Sequence, residues 1–250
     1  ADFDIDRVRK FYPLVSSYLD VETPDINNLN YNRNINPDSN FTNDPNVVII
    51  FMESVGLNRM GLMGNPLNPT PVLDSLSSNG AFFSKFYIPW VSTSRSVFTM
   101  LTGVPDVARR TSSRNPIIRD QYSIISQFKD YDKYYMIGGS ASWANIRSLV
   151  TYNIKGMMLV EMEDFDRPRV DVWGISDLDL FREANNILRE SENSKKSIFT
   201  IIQTAGNHRP YTIPNDNEGF KLKSFEKGVL KSAGFKSIEQ FNAIRLLDHS

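Results

Sequence analysis

An α/β fold, with a mainly parallel central sheet and helices on both faces, is predicted by three features of the sequence. Val47–Met52 is a continuous apolar run and Ser197–Gln203 reads as another buried strand, as expected for strands covered on both sides. Helical patterns fall between the strand candidates, so the chain alternates strand, helix, strand, helix. Chemistry-bearing residues then follow strands directly, at Glu53, Gly138-Gly139 and Thr204–His208, where open α/β sheets bind ligands.

A first helix is expected around Ile5–Leu19. It precedes N-N-L-N-Y-N-R-N-I-N-P-D-S-N, a stretch too polar for a core. Residues 1–45 therefore read as a linker or wrapping arm and residues 46–250 as the α/β domain. After the Val47–Met52 strand, Thr70 and Pro71 start a helix as N-cap and first residue, and Gly80 ends it. Ala81–Tyr87 is a second strand candidate. Ser94–Leu101 is helical and closed by Gly103; Tyr122–Phe128 is amphipathic. Tyr134–Ile137 is a strand running into Gly138-Gly139 and then a helix. Ser176 and Asp179 open a long helix to Glu190 in the manner of a capping box. Ile238–Leu247 is the last helix.

With 250 residues the chain holds one large domain or two small ones. The net charge of −1 provides no field for nucleic acid, and no nucleic-acid partner is expected. Cysteine is absent, which excludes disulfides, Cys-ligated zinc and a thiol nucleophile. The longest apolar run, Val47–Met52, is far short of a membrane span, and no signal peptide opens the chain.

Glu53 directly follows six apolar residues, a costly place for a carboxylate unless it is paired or metal-bound. Forty residues later Thr93 stands at the start of a helix, in T-S-R-S-V-F-T-M-L-T-G. A helix N-terminus favours negative charge, and a metal favours a deprotonated hydroxyl. The pair thus suits attack on phosphorus or sulfur, although a threonine here can also be a plain cap. Arg95 can clamp an anionic oxygen or face away along its helix. Gly138-Gly139 can admit backbone amides to an anion or simply form a tight turn. Arg109, Arg110, Arg114 and Arg119 form a basic loop. Phe86, Tyr87 and Trp90 suit core packing or lipid contact, and Asn40-Phe41-Thr42 fits the glycosylation pattern.

T-P-V-L-D-S-L at Thr70–Leu76 resembles the signature of the sulfatase group in the alkaline-phosphatase superfamily, and P-N-V-V-I-I-F-M-E-S resembles its first metal-binding strand. Alignment on Leu101-Thr102-Gly103 puts Thr93 where sulfatases carry the residue converted to formylglycine. Threonine cannot be so converted, Val97 replaces the motif arginine, and Glu53-Ser54 replaces paired aspartates. These departures are similar to lipoteichoic acid synthases and related phosphoglycerol transferases. That resemblance implies a threonine nucleophile, Thr93, and one divalent metal held by Glu53 and Thr93, commonly manganese with magnesium, zinc or calcium as alternatives. It implies substrate contacts by His208, in the Asn-His-x-Pro-Tyr-like segment, and by Trp143, Asn145 and Arg147.

The expected function is transfer of a phosphoglycerol head group from a lipid-linked or glycan substrate outside the cytoplasm. The membrane would be reached through a segment absent from this chain. Alternatives are a sulfatase, a phosphodiesterase, a phosphoethanolamine transferase, or a non-catalytic binding domain of the same fold. The superfamily completes its metal site with a later Asp-His or Asp-Asn pair. Asp248-His249 lies inside the last expected helix and reads as a false match, so the domain is expected to be C-terminally incomplete.

Overall fold

The computed structural model describes residues 4–32, 44–88, 90–106, 119–191, 193–194 and 196–250. Asn40-Phe41-Thr42 and Arg109, Arg110 and Arg114 lie outside them. The chain divides into two compact units, Ala1–Asp44 and Pro45–Ser250. In the first, helix α1 (Ile5–Tyr18) begins where the Asp4 side chain accepts the Arg7 amide. The Tyr12 hydroxyl accepts the Asp25 amide at 2.7 Å and donates to the Asn30 carbonyl at 2.5 Å. One tyrosine thus ties the polar segment after α1 back onto the helix.

In the second unit, β1 (Val47–Phe51), β2 (Asp132–Ile137), β3 (Met157–Val160) and β4 (Ile198–Gln203) form one sheet. The order is β1-β4-β2-β3 and each pairing is parallel. β4 lies between β1 and β2 and is buried along its whole length, so both of its faces need apolar cover. Helices α3 (Thr93–Thr102) and α4 (Ile146–Asn153) supply it on one face. There Val97, Leu101, Ile146 and Val150 join the cluster that contains Tyr135, Ile137 and Ile201. On the opposite face Leu180 and Ala184 of α5 (Asp177–Ser191) pack with Met136 and Ile202. Tyr135 and Ile137 face one layer and Met136 the other, which is the two-residue alternation of a strand used on both sides. The expected fold class therefore holds.

Helix α2 (Pro71–Ser78) begins at Pro71 after Thr70, but Thr70 does not cap it through its side chain. The cap comes from Asp248 on α7 (Ile238–His249), whose two carboxylate oxygens accept the Val72 and Leu73 amides at 2.9 Å each. Asp248 thus holds α7 against α2. Gly103 closes α3 at φ 72°, as the sequence suggests. Ser176 caps α5 by accepting the Asp179 amide at 3.0 Å.

Other local features depart from the sequence reading. Ala81–Tyr87 is not a strand; it carries no ladder partner among the described residues and leaves Phe83, Phe86 and Tyr87 exposed. Tyr122–Phe128 condenses to a single 3₁₀ turn at Ile124–Gln127. The four-residue β3 and the six-residue α6 (Lys227–Ser232) were not anticipated, because segments so short carry little periodic signal. Among the described residues, no helix is long and apolar enough to cross a membrane.

Candidate active site

Glu53 leaves the carboxyl end of β1 and is fixed through its own backbone. Its amide donates to Thr204 Oγ1 at 3.0 Å, the Thr204 amide donates to the Phe51 carbonyl at 3.1 Å, and Asn207 Nδ2 donates to the Glu53 carbonyl at 3.4 Å. Ser54, in the left-handed region at φ 57°, then turns the chain away. The side chain of Glu53 is consequently aimed across the sheet end. Thr93, first residue of α3, donates its hydroxyl hydrogen to Glu53 Oε1 at 2.5 Å. His208 Nε2 lies 3.2 Å from the same oxygen and 3.4 Å from Ser54 Oγ. Three sequence-predicted residues from three separate segments therefore meet at one carboxylate oxygen.

The loop that carries His208 is held from below. Both oxygens of Asp177, at the start of α5, accept amides from that loop, Ala205 at 2.8 Å and Gly206 at 2.9 Å. Burial pushes the Asp177 carboxyl up to about 6, against the opposing pull of those two amides and of His208. From above, the Trp173 indole stacks on the His208 imidazole with centroids 4.2 Å apart and planes 23° apart. Trp173 Nε1 donates to the Arg209 carbonyl at 2.7 Å. Gly138-Gly139 makes this stacking possible: a Cβ on Gly139 would sit 2.4 Å from the Trp173 carbonyl oxygen. Close packing of these glycines against residues 173–175 is a third role, beyond the two considered from the sequence. Trp173 and Asp177 had no motif to reveal them.

The space around the triad has two lobes that share Glu53, Thr93, Trp173 and His208. The larger is about 870 Å³ and carries Arg59, Arg209 and Lys236 on its walls, with Glu53 the one acidic lining residue among the described residues. The smaller is about 240 Å³ and is lined by Trp143, Val172 and Gln203, with no Lys or Arg among its described lining residues. Trp143 therefore reaches the site. Arg95, Asn145 and Arg147 line neither lobe. Arg95 is buried, its guanidinium 4.6 Å from the Trp90 ring centroid. Arg147 pairs with Glu161, whose other oxygen accepts the Ala141 amide at 2.7 Å. Asn145 adopts a left-handed conformation at φ 60° at the start of α4. Direct substrate contact by these three side chains is not supported by this geometry.

Glu53 Oε2 is buried and has no hydrogen-bond partner, an expense that a cation would offset. Together with the Thr93 hydroxyl it forms a hard oxygen donor pair suited to a divalent ion. Among the described residues no group of three His, Cys, Asp or Glu side chains gathers to hold a metal, so this pair fits part of a coordination shell.

A family model described as Sulfatase matches residues 45–227. Human arylsulfatase A is 39% identical over 59 residues, which is 24% of this chain and 12% of the relative. A protein in the alkaline phosphatase superfamily from Vibrio parahaemolyticus aligns with a TM-score of 0.67 and 25% identity, over 82% of this chain and 48% of that one. The lipoteichoic acid synthase LtaP from Listeria monocytogenes aligns with a TM-score of 0.67 and 20% identity, over 82% of this chain and 50% of LtaP; at that identity the likeness is one of fold. The chain spans about half the length of these two structures and a smaller part of arylsulfatase A. With the sheet, the strand-end site and the match over most of the chain in agreement, the chain belongs to the sulfatase family, on the alkaline phosphatase superfamily fold.

Proposed function

We propose that this domain carries the nucleophile of a metal-dependent phosphoglycerol transferase acting on lipid-linked or glycan substrates outside the cytoplasm. The observation that carries the reading is the convergence of Thr93 Oγ1 and His208 Nε2 on Glu53 Oε1, at 2.5 and 3.2 Å. Threonine at the nucleophile position argues against sulfate-ester chemistry through formylglycine. The cationic larger lobe suits an anionic phosphodiester.

Glu53 and Thr93 would hold the divalent ion, manganese being the expected one, and the ion would supply charge neutralisation and lower the pKa of the threonine hydroxyl. Thr93 Oγ1 attacks phosphorus in line, and its proton passes along the existing hydrogen bond to Glu53. The bond from phosphorus to Oγ1 forms as the bond from phosphorus to the lipid oxygen breaks. The His208 imidazolium protonates that leaving oxygen. In the second half, the acceptor hydroxyl gives its proton to His208 and attacks phosphorus, while Thr93 departs and recovers its proton from Glu53. Trp173 keeps the imidazole in line with the leaving oxygen. Replacing Thr93 with Ala in the complete protein should abolish release of diacylglycerol from phosphatidylglycerol and any phosphoglycerol adduct seen by mass spectrometry. Turnover retained by that variant would exclude the mechanism.

A further inference from the structure

Gln203 ends β4 between its register partners, Phe51 of β1 and Ile137 of β2, so it sits on the sheet rim between the Glu53 and Gly138-Gly139 exits. The next residue ties it to the reacting carboxylate: Thr204 Oγ1 accepts the Glu53 amide at 3.0 Å. Gln203 is only 4% exposed, yet it lines the smaller lobe. Its Oε1 accepts the hydroxyl hydrogen of Tyr135, a fully buried residue on β2. Burial, and the Glu53 charge with it, push the Tyr135 pKa up, so the phenol keeps its proton and acts as a donor. Among the described residues that hydroxyl has no second acceptor, and Gln203 Nε2 has no protein acceptor. The carboxamide is thereby locked in one orientation. Turning it over would leave the phenol hydrogen buried and unpaired, a costly arrangement. With its oxygen taken by the core, the carboxamide has its N–H donors left for the lobe.

We propose that Gln203, with Tyr135 as its positioning residue, selects the head group on the reacting phosphorus. An uncharged polyol is accepted, because its hydroxyl oxygens take the Nε2 hydrogens; an ammonium head group, which carries only donors, is disfavoured. The inference rests on the reading of the triad as a phosphoryl-transfer centre and deepens it, by giving a physical reason for polyol phosphates over aminoalkyl phosphates. Glu53 is the one carboxylate among the described lining residues of this lobe. Its Oε1 is already shared by Thr93 and His208, so it is not free to receive an ammonium in place of the carboxamide. The polarity of the lobe is thus decided by a phenol inside the core, one residue removed from the substrate.

The test is calorimetric and needs no turnover. The full chain is titrated with inorganic phosphate, sn-glycerol 1-phosphate and phosphoethanolamine. Expected is glycerol phosphate binding about tenfold tighter than phosphoethanolamine, the range of one hydrogen bond. Tyr135→Phe frees the carboxamide to turn over, so phosphoethanolamine should gain affinity and the preference should fall below about threefold, with affinity for inorganic phosphate unchanged. The double variant Tyr135→Phe, Gln203→Leu removes both partners of the buried bond and leaves neither unpaired, so it keeps the test sound if the single variant unfolds. It should lose the preference by weakening glycerol phosphate alone. Equal affinity of the wild type for the two organic phosphates, or a preference unchanged in both variants, overturns the selection. Uniform weakening of all three ligands in Tyr135→Phe would overturn the positioning role. Failure of the wild type to bind any of the three would remove the transfer reading and the selection with it. A preference lost in the variants while inorganic phosphate still binds upholds the selection, whatever Thr93→Ala does to turnover.

Discussion

Trp173 lies flat against His208, with ring centroids 4.2 Å apart, and it is anchored by its own Nε1 to the carbonyl of Arg209, the next residue after that histidine. The indole is therefore fixed to the loop it orders. A histidine 29% exposed would otherwise be free to rotate off the Glu53 oxygen. Replacing Trp173 with Ala is expected to lower kcat about tenfold with little change in KM, because the imidazole loses its alignment with the leaving oxygen. Trp173→Phe should recover most of the loss, and the pH profile of kcat should shift only in the Ala variant. Unchanged kcat in the Ala variant would remove Trp173 from the positioning role.

Glu53→Gln keeps the shape of the strand end but removes the charge a cation needs. Divalent-ion affinity of the complete protein, followed by manganese titration, should weaken about a hundredfold. Thermal stability without metal should rise or stay level, since a buried unpartnered carboxylate oxygen is relieved. Undiminished manganese affinity would exclude Glu53 as a ligand.

Asp177 links pH to stability. Its carboxyl stands at about 6 in the fold against 3.8 as the reference, because burial disfavours its charged form. A raised carboxyl pKa contributes stability that is fully present below about 4 and is lost as pH rises through about 6. The loss is on the order of 3 kcal/mol between those limits. Denaturant unfolding of wild type should follow this slope between pH 4 and 7, and Asp177→Asn should flatten it. An equally steep slope in the Asn variant would assign the pH dependence elsewhere.

Asp248→Ala separates the cap from the metal. Loss of the two bonds to Val72 and Leu73 should cost about 1–2 kcal/mol of stability. Manganese affinity should not change. A drop in metal affinity in a variant that remains folded would restore Asp248 as a ligand candidate.

Much of this fold was legible because long buried strands and capped helices impose strong local patterns. β1, β4, α3, α5 and α7 all announce themselves by apolar runs, by Gly103 or by Ser176. Glu53 and Thr93 were legible because each follows or starts an element whose end is fixed by pattern, whereas His208 was reached through the resemblance of its Asn-His-x-Pro-Tyr-like segment. Ala81–Tyr87 misled because an apolar composition does not specify a pairing partner, and pairing is what makes a strand. Arg95, Asn145 and Arg147 were placed near the site by their position in the chain, but direction within a turn of helix is set by tertiary packing. The Arg147–Glu161 pair and the burial of Arg95 at Trp90 show that packing taking precedence. Trp173 and Asp177 act from loops and helix starts that carry no periodic signal, so their roles emerge only when β2, α5 and the His208 loop are seen together.

Because all four strands run in one direction, every segment leaving a carboxyl end emerges on the same rim of the molecule, and every return crosses behind it. Lengthening any of those exits would redraw the walls of the cavity while the layer beneath it kept its register. Descent within such a lineage can thus exchange one ester for another by editing surface connections, leaving the acidic anchor and the hydroxyl where the ladder puts them.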